Sequence, residues 1–459
     1  MTQPQNTLHD GPLVTWYADD FTGAAAVMEV LTFAGLPSML FLEPPTTDQL
    51  ARYPDLKGIG VASTARAQSP EWMDAELPDI FAQLAALKPA LMHYKVCSTL
   101  DSSPQVGSIG RAIEIGQAQF SPAAIPVLIA APQMRRYQSF GHLFAGFGDA
   151  VYRLDQHPVM SRHPVTPMHE ADVAKHLSQQ STKLDTRCLS LEDMNANATL
   201  PVIPANPDRI EAITLDSMDS ASESVAGRLI WEGRDANPFV VGSQGVEYAL
   251  VRHWQDTRQI AVADAPKGIG RSDKMVVVSG SVSPTTADQI AWAIANGFAG
   301  IAFDAACVCR GADELETEIG RCVQAGLEAM SRDLDPLIYS AQGPDDPAVE
   351  QFKNAVGHSN ATMADANLRV GEALGRILYQ TLSRSGARRA VASGGDTSGN
   401  ATRQLGIFAL SALAPTIPGA ALFQAHAKGP MDGLELALKG GQMGSPDYFG
   451  WIRSGGGKR

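Results

Sequence analysis

Ala390-Val391-Ala392-Ser393-Gly394-Gly395-Asp396-Thr397-Ser398-Gly399-Asn400-Ala401-Thr402 changes character twice within a few residues. A short apolar run feeds paired glycines, and an acid, hydroxyls and small residues follow. This is the signature of a strand, a tight turn and a helix N-terminus. Paired glycines let backbone N–H groups approach a ligand that a Cβ would block, and the first helical turn adds unpaired donors and the positive end of the helix dipole. Phosphate is the natural guest of such a turn. An ordinary strand-to-helix turn is the alternative, and it needs only one glycine and a cap such as Asp396 or Ser398.

Two further turns of this kind stand in the same half of the chain. Val278-Ser279-Gly280-Ser281-Val282-Ser283-Pro284-Thr285-Thr286 reads as strand, small polar turn and capped helix, with Ser281 able to reach a phosphate or ribose. Leu438-Lys439-Gly440-Gly441-Gln442-Met443-Gly444 is a third glycine turn, carrying a lysine. Each is weak alone, but three turns on one sheet edge would suit a nucleotide. Val370, Leu374, Ile377, Leu378 and Thr381 line one face of a long helix that leads into the Gly-Gly-Asp turn. No G-x-x-x-x-G-K-[ST] run occurs, and Gly268-Ile269-Gly270 lacks the third glycine of a dinucleotide fingerprint.

The first half repeats the strand-to-helix logic with carboxylates. Leu13 to Ala18 is a strand, followed at once by Asp19-Asp20-Phe21-Thr22-Gly23 and a helical run in which Val27, Val30 and Leu31 share a face. Strands are expected at Ser38–Leu42, Gly58–Ala62, Ala90–Val96, Pro126–Ala131, Arg209–Leu215 and Pro238–Gly242, with helices at Trp72–Leu87 and Ser222–Trp231. This alternation predicts an α/β protein of two domains, each with a mainly parallel sheet flanked by helices. The boundaries read as residues 1–255, a linker at 256–274 that loses periodicity, and residues 275–459. The glycine-rich end from Ser454 to Arg459 reads as a flexible tail.

Ligands of open parallel sheets collect at the carboxyl ends of the strands, and the unusual residues stand there. Asp19 and Asp20 can bind sugar hydroxyls, accept a hydroxyl proton or hold Mg²⁺, whereas a helix cap beside a solvated acid is the plainer alternative; Thr22 and Gly23 are expected to free them from capping. Arg66 ends the strand at Gly58–Ala62 with a guanidinium suited to a carboxylate substrate, unless it makes a surface ion pair. Lys95-Val96-Cys97-Ser98 closes another strand, with Lys95 placed for an anion contact. Cys97 has no base beside it and reads as a small residue rather than a nucleophile.

Composition narrows the function. With 459 residues, two cores are expected. A net charge of -13 with no Lys/Arg cluster argues against nucleic acid. The polar start, Met1 to Gly11, has no signal-peptide pattern, and no apolar run suits a membrane span. Five scattered cysteines form no framework and suit reduced thiols in the cytoplasm. Cys307-Val308-Cys309 lacks a second pair for zinc, and the histidines show no ligand spacing.

On these residues the chain resembles the four-carbon acid sugar kinase family from about Leu13 to Phe449, most specifically at Ala18-Asp19-Asp20-Phe21-Thr22-Gly23-Ala24, Val278-Ser279-Gly280-Ser281 and Ser393-Gly394-Gly395-Asp396-Thr397. The resemblance implies an ATP- and Mg²⁺-dependent kinase of small sugar acids, with an acid-sugar domain, a nucleotide domain and the active site in the cleft between them. Asp19, Asp20, Arg66 and the Lys95, Val96, Cys97, Ser98 turn would meet the acid. Ser281, Gly394, Gly395, Asp396, Thr397 and Gly441 would meet ATP, and Asp20 or Asp396 would serve catalysis. A homo-oligomer is compatible with this reading. Family members usually read Lys-Ile-Asp-Ser-Thr, then an aromatic or Leu, then Arg-Gly-Asn, where this chain has Cys97 in place of the acid and Asp101-Ser102-Ser103 in place of Arg-Gly-Asn. That departure points from plain threonate or erythronate toward a branched or oxidised acid such as 3-oxo-isoapionate. A sensor that binds nucleotide or acid sugar without turnover is the competing reading.

Overall fold

A computed structural model describes residues 8–200, 209–264 and 266–459 of the chain. Residues 1–7 of the polar start, and residue 265 within the expected linker, lie outside the described residues. The chain divides into two compact units between residues 264 and 265.

The first unit runs β1 (Val14–Ala18), α1 (Phe21–Phe33), β2 (Ser38–Phe41), α2 (Thr47–Ala51), β3 (Gly58–Ala62), α3 (Pro70–Ala86), β4 (Leu91–Lys95), α4 (Ile109–Phe120) and β5 (Ile125–Leu128). A small antiparallel sheet follows, β6 (Arg136–Ser139), β7 (His142–Phe147) and β8 (Ala150–Arg153). Then come α5 (Val173–Ser178), β9 (Leu184–Leu189), β10 (Ile210–Leu215), α6 (Ser220–Gly233), β11 (Phe239–Gly242) and α7 (Gly245–Asp256). The main strands pair in the order β2-β3-β1-β4-β11-β5-β10-β9, every pair parallel. The expected parallel sheet is therefore present, and its carboxyl edge carries residues 18–20, 62–66 and 95–98.

Packing explains several small residues in this sheet. A Cβ on Gly60 would stand 1.9 Å from the Trp16 ring, and one on Gly116 would stand 2.3 Å from Phe239. Tyr17, Phe81, Tyr94, Phe120 and Phe239 form an aromatic cluster, with the Phe120 and Phe239 rings stacked 5.3 Å apart. His93 and Glu247 are both fully buried and 2.7 Å apart, tying β4 to α7, while the other His93 nitrogen lies 3.0 Å from the Gly242 carbonyl.

The second unit runs β12 (Val276–Ser279), α8 (Pro284–Ala295), β13 (Phe298–Ala302), α9 (Ala312–Ser331), β14 (Asp335–Tyr339), α10 (Pro347–Gly357), α11 (Met363–Ser385), β15 (Arg389–Ser393) and α12 (Gly395–Gln404). It ends with β16 (Ile407–Ala414), β17 (Leu422–Ala427), β18 (Glu435–Lys439) and α13 (Tyr448–Arg453). Strands β13-β14-β12-β15-β18 are parallel, and β17 and β16 add an antiparallel edge. The expected face of α11 is buried at Val370, Leu374, Ile377, Leu378 and Thr381.

The C-terminal tail corrects the expectation of flexibility. Gly455 accepts from the Ile269 N–H at 2.9 Å, the Gly457 N–H donates to the Pro415 carbonyl at 2.8 Å, and the Trp451 indole donates to the Gly457 carbonyl at 3.1 Å. Gly455, Gly456 and Gly457 all take positive φ, and a Cβ on Gly455 would meet Gly270 backbone at 2.3 Å. The glycines here allow backbone to pack on backbone, which composition alone reads as looseness. Among the described residues no helix is long and apolar enough to cross a membrane.

Candidate functional site

The carboxyl edge of the first sheet gathers Asp19, Asp20, Arg66 and Lys95 into one cluster. Register accounts for this: Ala18 of β1 pairs with Ala62 of β3 on one side and Lys95 of β4 on the other. The Asp19 N–H donates to the Lys95 carbonyl and the Arg66 N–H to the Asp19 carbonyl, both at 3.0 Å. Arg66 then folds back, donating from Nε to Asp19 Oδ2 at 3.1 Å and from Nη2 to Asp19 Oδ1 and Asp20 Oδ1, each at 2.7 Å. Lys95 Nζ reaches Asp20 Oδ1 at 3.5 Å.

Asp20 is also the N-cap of α1, taking the Gly23 N–H on Oδ1 at 3.0 Å. The expectation that Thr22 and Gly23 would relieve the aspartates of capping is thus incorrect: Asp20 caps the helix and belongs to the ionic cluster at once. Three donors meet on Oδ1, and among the described residues none is directed to Oδ2. Gly23 has a steric role as well, since a Cβ there would fall 1.6 Å from Lys95 Nζ.

The two carboxyls are held differently. Burial pushes Asp19 up, and this outweighs Arg66 and Lys95, which pull it down. Asp20 is also pushed up by burial, but Lys95 and Arg66 together with the Gly23 N–H hold it below the usual carboxylate range. Asp20 is therefore the firmly ionised member, and as pH falls Asp19 takes up the first proton.

The bidentate edge of Arg66 expected to meet a carboxylate ligand is engaged with Asp19, leaving Nη1 as its free end. Lys95 is only 3% exposed, and its anion is Asp20. The Val96 side chain is fully buried in the core and its N–H donates to the Gly242 carbonyl at 2.7 Å. Cys97 and Ser98 are half-buried, with Cys97 Sγ 3.1 Å from Thr99 Oγ1. The Asp101-Ser102-Ser103 run is occupied internally: Asp101 contacts Thr166 and His163, and Ser102 donates to the Leu100 carbonyl at 2.9 Å and lies 2.9 Å from His176 Nε2.

Arg136 is a residue that sequence reasoning missed. It opens β6 after a tight turn in which Ala131 and Arg136 bridge. Its Nη1 donates to the carbonyls of Met134 (3.1 Å), Arg135 (3.3 Å) and Gly146 (3.4 Å), its Nε is buried without a partner, and among the described residues no carboxylate pairs with it. Burial lowers its pKa, and Cys97, which also interacts with Arg66, acts against that shift. Only the dipeptide Arg135-Arg136 after the Pro132 turn could have signalled it.

In the second unit the three glycine turns do share one edge. Ser279, Ser393 and Lys439 occupy the last rungs of β12, β15 and β18, paired Ser279 to Ser393 and Ser393 to Lys439. The Gly280 N–H donates to the Ser393 carbonyl (3.1 Å) and the Gly394 N–H to the Lys439 carbonyl (2.9 Å). Thr286 Oγ1 lies 2.9 Å from both Ser281 Oγ and the Gly441 carbonyl, and Ser283 donates to that carbonyl. A Cβ on Gly441 would stand 2.2 Å from Ser281 Oγ.

Helix α12 has no side-chain cap, unlike α1, α4 and α8, and Gly394 precedes it at φ +117. A Cβ on Gly395 would meet nothing within 4 Å, so open space lies before the helix N-terminus. Asp396 is exposed and its carboxylate makes no hydrogen bond, whereas Thr397 is buried with its Oγ1 against Gly280. These features fit a nucleotide phosphate group: uncapped N–H donors, a cradle that a Cβ would fill and a carboxylate left over for its metal.

Two family models match the chain. A model described as a sugar-binding N-terminal domain matches residues 14–250, and one described as a nucleotide-binding C-terminal domain matches residues 276–449. The chain is 42% identical over 448 residues to the 3-oxo-isoapionate kinase of Paraburkholderia graminis, covering 97% of this chain and 95% of that one. It is 27% identical over 435 residues to the 3-oxo-tetronate kinase of Pectobacterium atrosepticum, covering 94% and 96%. A crystal structure of a Salmonella typhimurium LT2 protein shares the fold with TM-score 0.75 at 22% identity, over 96% of this chain and 98% of that one. A Haemophilus influenzae protein does so at TM-score 0.71 and 20% identity, over 96% and 99%. Both domain models and the 42% identity over nearly the whole chain carry the same conclusion, that the chain belongs to the four-carbon acid sugar kinase family.

Proposed function

We propose that the protein transfers the γ-phosphoryl group of Mg·ATP to a hydroxyl of a small branched or oxidised sugar acid of the 3-oxo-isoapionate type. The carrying observation is the state of Asp20, ionised through Lys95 and Arg66, with three donors fixing Oδ1 and Oδ2 free. Such a carboxylate orients an acceptor hydroxyl. A depressed pKa makes it a weak base, which suits phosphoryl transfer, where the loose transition state asks for positioning more than early proton removal.

The residues divide the work. Asp19 holds the Arg66 fork, and Arg66 and Lys95 hold Asp20. Arg136, with donors but no carboxylate partner, supplies the charge that a sugar-acid carboxylate requires, together with the Nη1 end of Arg66. Cys97 and Ser98 line the same strand end. On the nucleotide side, the first-turn N–H groups after Gly394 and Gly395, with Ser281 and Gly441, cradle phosphate. Asp396 would hold Mg²⁺, which when bound neutralises charge on the β- and γ-phosphate oxygens. The cytoplasm, where ATP is supplied, is the fitting compartment.

The substrate reading rests on identity of 42% to the 3-oxo-isoapionate kinase against 27% to the 3-oxo-tetronate kinase, and on Cys97 as a departure from the family pattern that the resemblance implies. An ADP-release assay across branched and unbranched C4 and C5 sugar acids tests it. The highest kcat/KM is expected with 3-oxo-isoapionate. No ADP above background with any of the acids would leave a binding protein rather than a kinase.

A further inference from the structure

Lys439 is a buried ammonium without a carboxylate. It is 2% exposed, its one hydrogen bond is from Nζ to the neutral Gly440 carbonyl at 3.0 Å, and its Nζ lies 5.9 Å from the Tyr448 ring centroid. Among the described residues no salt bridge involves it, whereas the buried Lys95 has Asp20 and the buried Arg389 has Glu435. A cation out of water with only a carbonyl and an aromatic face near it is unfavourable unless an anion joins it. Burial accordingly lowers the Lys439 pKa to about 8.

What surrounds it says which anion. Two residues back along each strand, Val277, Val391 and Ala437 belong to one core cluster, so the period of two puts Ser279, Ser393 and Lys439 on that same face. They form a single row across β12, β15 and β18 at the carboxyl edge. Ser279 and Ser393 are fully buried, and neither hydroxyl has a hydrogen-bond partner. Two orphan hydroxyls and an ammonium with no carboxylate stand in one row, at the strand ends that run into the Gly280, Gly394 and Gly441 turns.

We propose that Lys439 is the buried cationic anchor for a phosphate of the bound nucleotide, with the Ser279 and Ser393 hydroxyls as donors beside it. This rests on the reading of the second unit as the nucleotide unit. The ammonium gives up a neutral carbonyl for a charged oxygen, and the four-carbon stem supplies the reach. A charge-assisted contact of this kind sets the scale of its loss at about 10- to 100-fold in affinity.

The test is calorimetric titration of the full-length chain with ADP and with adenosine, alongside the melting temperature of the ligand-free protein. Lys439→Met is expected to lose 10-fold or more in ADP affinity, to bind adenosine within about twofold of wild type, and to melt no lower than wild type. Lys439→Gln, which keeps a donor for Gly440, is expected to show the same split between ligands if the methionine variant folds poorly. ADP affinity within twofold of wild type in both variants overturns the proposal and leaves the nucleotide reading intact. Parallel loss of ADP, adenosine and melting temperature also overturns it, making Lys439 a structural residue. Failure of the wild type to bind ADP would overturn the nucleotide reading itself.

Discussion

The ammonium of Lys95 occupies the space that a side chain on Gly23 would fill, with Nζ only 1.6 Å from the position of a Cβ there. A strand-end lysine and a helix-start glycine are therefore one unit, and Asp20 is held between them by both. Gly23→Ala is expected to push Lys95 off Asp20 and lower kcat/KM by about 10²-fold, the scale of an ångström-level misplacement at a reacting centre. Steady-state kinetics with unchanged ATP affinity would bear this out; wild-type kinetics would separate the glycine from the site.

Electrostatics of the pair give a pH prediction. Asp20 has its pKa depressed below the ordinary carboxylate value, so it stays ionised where ordinary carboxylates titrate, and kcat should show no acid limb from it in that range. Burial opposes that state and Lys95 is the leading cation that maintains it. Lys95→Met should raise the Asp20 pKa and bring an acid limb of kcat into view at higher pH than in the wild type. A variant that loses activity with an unmoved pH profile would contradict this.

The nucleotide side offers a clean substitution. Because a Cβ on Gly395 meets nothing within 4 Å, Gly395→Val should fold normally and fill the space before α12 instead. ATP affinity is expected to fall about 10-fold or more with acid-sugar binding unchanged. Equal losses of both ligands would indicate a folding defect.

The C-terminal glycines can be tested by stability alone. Gly455→Ala forces a Cβ to within 2.3 Å of Gly270 backbone at φ +99, so the variant should lose about 1–3 kcal/mol, read from denaturant unfolding. An unchanged unfolding midpoint would restore the picture of a loose tail.

The parallel strands and the chemistry at their ends were legible because both follow local rules. Apolar runs that give way to a polar turn mark β1, β4, β12 and β15, and the polar residues immediately after them had to lie at the carboxyl edge. What local pattern could not carry was allocation. Whether the Arg66 fork serves a ligand or Asp19 depends on a turn that brings residue 66 back over residue 19. Arg136 sits in a small antiparallel sheet with no clear alternation, and β16 to β17 is rich in alanine, so neither region announces a strand. The tail failed for a different reason, since glycine composition is the same for a loose chain and for one packed backbone to backbone.

The most direct test of the central claim is Asp20→Asn, which keeps size and some hydrogen bonding but removes the charge that orients the acceptor. With 3-oxo-isoapionate and Mg·ATP both saturating, kcat is expected to fall by about 10²-fold or more, while the dissociation constants of the acid and of ATP, measured separately, change by less than about fivefold. Turnover near that of the wild type would contradict the account and remove Asp20 from the mechanism.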